Sequence, residues 1–178
     1  MLRLANLLLL AALLFAGLAC ETDPNAIESE GRYSPDSLYA RIGDGRVLRS
    51  LVDFYFEMAV TDPVLDFTRH NTAHAWEPNP GNIAELKDRY YAYLASATGG
   101  PGKYKGPPIS AVHENLDITP QQFARSLELF QAAAERAGIK PREQQELMTI
   151  LKHEKPAVLG KNAVPTTQPA KRRQANSE

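Results

Sequence analysis

Ser110-Ala111-Val112-His113-Glu114-Asn115-Leu116-Asp117-Ile118-Thr119 places a single imidazole on a short apolar segment directly ahead of a strong helix start. At helical spacing Ile109, Val112, His113 and Leu116 share one side, so the histidine is expected to face inward beside apolar neighbours. The residues that follow, Thr119-Pro120-Gln121-Gln122, form a capping box with proline at the first helical position. A neutral histidine on a short helix, braced by a longer one, is a way for a fold to present a nitrogen to a metal centre. A lone histidine near apolar residues is more often a packed or solvated side chain, so the surrounding chain has to discriminate.

Working outward, every periodic segment reads as helix. The helix opened at Thr119 carries Phe123, Leu127, Phe130 and Ala134 inward, and Gly138 closes it. A last helix from about Pro141 turns Leu147, Ile150, Leu151 and Val158 inward. Upstream, Asn82 is expected to cap a helix with the stripe Ile83, Leu86, Tyr90, Tyr93, Leu94 and Ala97, ended by Gly99-Gly100-Pro101. Before it, Val47, Leu48, Leu51, Val52, Tyr55, Phe56 and Ala59 recur at three and four residues, and that helix stops before Asp62-Pro63. Ser34-Pro35 starts a short first helix that ends near Gly43. The result is an all-α chain of four good helices and two short ones, with no strand.

The stretch from Phe67 to Asn82 is irregular. His70 and His74 are four apart and would share a helix face as a metal pair, but Pro78-Asn79-Pro80-Gly81 opposes a long helix and no third ligand follows at a sensible spacing. No metal site is expected there.

The 178 residues leave room for one ordinary domain with appendages, and a net charge of -1 gives no push toward nucleic acid. One cysteine rules out an intramolecular disulfide and a CxxC-type haem attachment, so any haem has to be held by coordination and burial. Residues 1–20 read as a signal peptide: Arg3, an apolar run from Leu4 to Leu18, then Ala16-Gly17-Leu18-Ala19-Cys20. That ending resembles a bacterial lipobox, with Gly17 where leucine is usual. The expectation is export to the periplasmic side and a membrane anchor through lipidated Cys20, with a soluble periplasmic or secreted form as the alternative. Residues 21–34 form an acidic tether, 35–160 the folded domain, and 161–178 a proline-containing basic tail.

Between Ser37 and about Val158 the chain resembles the group I truncated haemoglobins, short globins built as a two-on-two helical sandwich. The resemblance is carried in order by Ser37-Leu38-Tyr39-Ala40-Arg41-Ile42-Gly43, by Phe54-Tyr55-Phe56 with Thr61-Asp62-Pro63, by Leu86-Lys87 leading to Gly99-Gly100-Pro101, and by Val112-His113 through Leu116 to Ile118-Thr119. It implies non-covalent haem b with His113 as the proximal iron ligand. It also places the distal residues. The position of the family's ligand-binding tyrosine falls on Phe56, with Tyr55 where phenylalanine is usual, so the pair is swapped. The facing helix contributes Leu86 and Tyr90, and Arg89 is placed to reach a haem propionate. Tyr90 is expected to supply the donor that Phe56 lacks.

The function implied is reversible binding of oxygen, nitric oxide or carbon monoxide. An alternative is nitric oxide dioxygenase or peroxidase-type chemistry at the same haem. Because the sequence contains no GxGxxG motif, that chemistry would draw electrons from a separate reductase. A haem-free helical lipoprotein that makes protein contacts is the remaining alternative.

Overall fold

The computed structural model describes residues 33–69 and 75–163. The expected signal peptide with Cys20, all but the end of the expected tether, His70 and His74, and the residues beyond 163 lie outside the described residues. Seven α-helices and one 3-10 turn follow in order: α1 Leu38–Arg41, α2 Asp44–Ala59, α3 Pro80–Ala97, α4 Ile109–Val112, α5 Pro120–Arg136, α6 Pro141–His153, α7 Lys155–Leu159 and the turn Gly160–Ala163. No strand occurs among the described residues.

The core follows the apolar stripes. On α2, Leu48, Leu51, Val52, Tyr55, Phe56 and Ala59 are buried, and they meet Leu94 and Ala95 of α3 and Leu129, Phe130, Ala133 and Ala134 of α5. Fully removing one such large side chain from water contributes about 1.5–3 kcal/mol, so this face holds the sandwich together. Two helix pairs result, α2 with α3 and α5 with α6, and the α2–α5 contact joins them.

Two helix starts differ from the sequence reading. Ser34 caps only a turn, with its hydroxyl accepting from Asp36 N at 3.2 Å, and Ser37 is the cap of α1. At α3 the cap is Asn79, not Asn82. Asn79 accepts from Asn82 N at 3.0 Å and Asn82 Oδ1 accepts from Asn79 N at 2.8 Å, a reciprocal box that lets Pro80 start the helix. The asparagine that signals the start is therefore the third residue of the helix. The box at Thr119 and Gln122 forms as expected.

Close approach fixes the junction of α1 and α3. Tyr39 N donates to Thr98 O at 2.9 Å, and the Tyr39 ring covers Gly100, where a Cβ would lie 2.5 Å from the ring and 2.8 Å from Ala95 O. Only glycine fits at position 100. Two inward assignments fail: Val112 is 40% exposed, and Ala97 is exposed because the buried positions at the end of α3 are Leu94, Ala95 and Thr98.

Candidate functional site

Adjacent residues on a helix point about 100° apart, so Tyr55 and Phe56 serve different neighbours. The Tyr55 ring lies against Phe130 of α5 at 5.8 Å, and its hydroxyl meets Ser126 Oγ at 2.8 Å. The Phe56 ring turns toward Phe67, 5.8 Å away in the irregular segment, which in turn packs edge-on to Trp76 at 5.6 Å. Tyr90 of α3 touches both, with its ring centroid 5.5 Å from Tyr55 and 5.8 Å from Phe56. Leu86, one turn earlier, is partly buried against the same core. The structure thus brings Phe56, Leu86 and Tyr90 together, and adds Tyr55, Phe67, Phe130 and Ser126.

Burial, and after it the nearby Tyr55 and Tyr93 hydroxyls, push the Tyr90 phenol far above its ordinary range. It is a neutral donor at any physiological pH. No hydrogen bond to the Tyr90 hydroxyl is formed among the described residues, whereas the Tyr55 hydroxyl is engaged by Ser126. Burial also raises Tyr55, partly offset by the Ser126 hydroxyl, which would donate to a phenolate. One turn after Tyr90, Tyr93 stacks on it at 6.5 Å, and its phenol is raised by burial and by the nearby Glu154 carboxylate. Tyr93, Tyr104 and Ile150 line a cavity of about 420 Å³ beside Glu154. Arg89 is exposed and ion-paired with Glu85 on its own helix.

His113 ends α4, with backbone at φ −108° and ψ 0°. Its ring is half-buried, and Nδ1 lies 2.8 Å from Ile109 O. Because a carbonyl can only accept, Nδ1 carries the proton and donates, leaving Nε2 with a lone pair. Desolvation holds the imidazole below its ordinary value of 6.5, against smaller opposing contributions from the Ile109 carbonyl and from Glu154. This is the state a metal ligand needs: neutral, ring orientation fixed, one nitrogen free to coordinate. Among the described residues no group of three or more His, Cys, Asp and Glu is placed to hold a bare metal ion, so a single-histidine ligand fits a metal brought in by its own cofactor. His113 borders α7 across a second cavity of about 470 Å³, and no ring contact or hydrogen bond joins it to Tyr90.

Three of these neighbours escaped the sequence reading. Ser126 falls on the inward stripe of α5, three residues after Phe123 and four before Phe130, where an isolated polar residue in an apolar row was the available signal. Glu154, by contrast, sits at the junction of α6 and α7, and Trp76 sits in an irregular segment. Periodicity says nothing about either.

Two pairs of helices holding an aromatic cluster, with a backbone-oriented imidazole at the end of the short helix α4, are the arrangement of a truncated globin, the two-on-two class. Comparison with known proteins agrees. The family described as bacterial-like globin matches residues 37–159, and the chain belongs to that family. The group 1 truncated hemoglobin GlbN of Mycolicibacterium paratuberculosis is 27% identical over 114 residues, covering 64% of this chain and 77% of that protein. The group 1 truncated hemoglobin of Tetrahymena pyriformis is 19% identical over 127 residues, covering 71% and 98%. The crystal structure of the Tetrahymena truncated hemoglobin in its Fe(III) form superimposes with a TM-score of 0.60 at 18% identity, covering 70% of this chain and 99% of that one. The group II truncated hemoglobin from Bacillus anthracis gives 0.59 at 20% identity, covering 71% and 92%. Haem iron is the cofactor that membership of the globin family brings, and the donor set at His113 fits it.

Proposed function

We propose that this chain binds a diatomic gas reversibly, with His113 Nε2 as the proximal iron ligand and Tyr90 as the distal hydrogen-bond donor. Haem iron supplies one open position for oxygen, nitric oxide or carbon monoxide; the chain's own residues do the rest. His113, oriented by Ile109 O, holds the cofactor from one side. Phe56, Leu86 and the Tyr55 ring exclude water from the other. Tyr90 presents a neutral hydroxyl that no described residue engages in a hydrogen bond. Arg89 reaches a propionate by leaving Glu85, an exchange between exposed partners that costs little.

The observation that carries this reading is the Nδ1 contact of His113 at 2.8 Å, because it fixes the tautomer that can coordinate. Absorption spectra of the ferric, ferrous and carbon monoxide forms test it. His113→Ala should lose the axial-ligand signature and most haem affinity. An unaltered spectrum in that variant refutes the reading.

The place of action proposed is the outer side of a membrane, through lipid on Cys20, a reading supported by the small-residue ending Ala16-Gly17-Leu18-Ala19-Cys20. Cys20→Ser should move the protein from the detergent phase to the aqueous phase in phase partitioning. An unchanged distribution would exclude lipidation at this residue.

A further inference from the structure

The Tyr55 and Ser126 hydroxyls form a pair that the gas-binding reading does not use. Their oxygens are 2.8 Å apart, between α2 and α5, and the Tyr55 ring is in contact with Tyr90, the proposed donor. Which oxygen donates follows from acidity. A phenol is a stronger acid than an alkyl hydroxyl, and a serine oxygen is the better base, so the neutral pair is most stable with the Tyr55 proton directed at Ser126 Oγ. A buried hydroxyl with a partner stays with it, because leaving the pair uncovers two desolvated polar groups at once.

We infer that Ser126 is a positioning residue: it commits the Tyr55 proton to α5, withholds that hydroxyl from the distal side, and leaves Tyr90 as the single distal donor. Ser126 thereby sets how fast the gas is released. Without it, Tyr55 is a second phenol in the same aromatic cluster with its proton uncommitted, and a diatomic ligand that carries partial negative charge is the acceptor nearest in kind. The inference rests on the gas-binding reading proposed above.

The test compares Ser126→Ala, Ser126→Thr and the double variant Tyr55→Phe with Ser126→Ala, all as the full chain loaded with haem. Ser126→Ala should slow oxygen release by about tenfold, the effect of one added hydrogen bond to a charged acceptor. In the carbon monoxide form it should also lower the C–O stretching frequency, which reports a new donor beside the ligand and is not moved by a loss of packing. Ser126→Thr keeps the hydroxyl and should match the parent in both. The double variant should return to the parent rate, because the added donor is gone.

Unchanged or faster release in Ser126→Ala overturns the inference, as does slowing that persists in the double variant. The hydroxyl proton of Tyr55 gives a readout independent of gas. In nuclear magnetic resonance spectra of the chain without haem it should exchange slowly with water, and fast in Ser126→Ala. If haem does not bind at all, the gas-binding reading fails while this exchange measurement still judges the hydroxyl pair.

Discussion

Replacing Tyr90 with phenylalanine removes one oxygen from a ring that the rest of the fold holds in place. That ring is kept by Tyr55 at 5.5 Å, Phe56 at 5.8 Å, Phe130 at 6.3 Å and Tyr93 at 6.5 Å, and none of these contacts needs the hydroxyl. No hydrogen bond from a described residue to that hydroxyl is broken, so stability should stay within the scatter of a neutral substitution, within about 0.5 kcal/mol. Oxygen release responds differently. A hydrogen bond to a group with anionic character is worth about 1.5–3 kcal/mol. At about 1.4 kcal/mol per decade, its loss should raise the dissociation rate roughly ten- to a hundredfold. Stopped-flow displacement of oxygen from the ferrous protein by carbon monoxide measures that rate directly. An unchanged rate with an unchanged melting temperature would show that the Tyr90 hydroxyl points away from the ligand, and the distal assignment would fail with it.

Three further perturbations address the scaffold and the proximal side. Phe130→Ala empties a site that is 1% exposed between α2 and α5, and chemical denaturation should show a loss of about 3–5 kcal/mol. Gly100→Ala sets a Cβ 2.8 Å from the Ala95 carbonyl, which is helix backbone and cannot yield as a side chain would; about 1–3 kcal/mol should be lost in the same assay. Burial lowers the His113 imidazole below 6.5, so between the folded value and 6.5 the unfolded chain binds more protons than the folded one. The stability of the chain prepared without haem should therefore rise with pH across that window and be lost as pH falls through it. Urea midpoints from pH 7.5 down to 5 check this, and His113→Gln should flatten the slope.

The helices were legible in the sequence because they rest on local properties. The stripe from Leu48 to Ala59 has the period of a buried helix face, and the Thr119 to Gln122 box marks a helix start wherever it occurs. His113 could be singled out by its short apolar segment and by its place in an ordered set of family motifs. The same local logic misjudged Asn82, since Asn79 and Asn82 both carry capping chemistry and only the backbone at Asn79, φ −135° and ψ 163°, decides which one is outside the helix.

What the chain order could not supply was which hydroxyls are engaged. Tyr55 and Ser126 are 71 positions apart, and Tyr39 and Tyr91 are 52 apart, yet each pair is within hydrogen-bonding reach. The sequence by itself determined the all-helical architecture and the stripes that bury its core, because helix periodicity and capping act over a few residues. Only the tertiary structure decided that Tyr55 is tied to α5 while Tyr90 is not, that Val112 is exposed, and that Ile109 O fixes the His113 tautomer. Those outcomes depend on side-chain rotation and on distances across the fold, and no spacing along the chain encodes them.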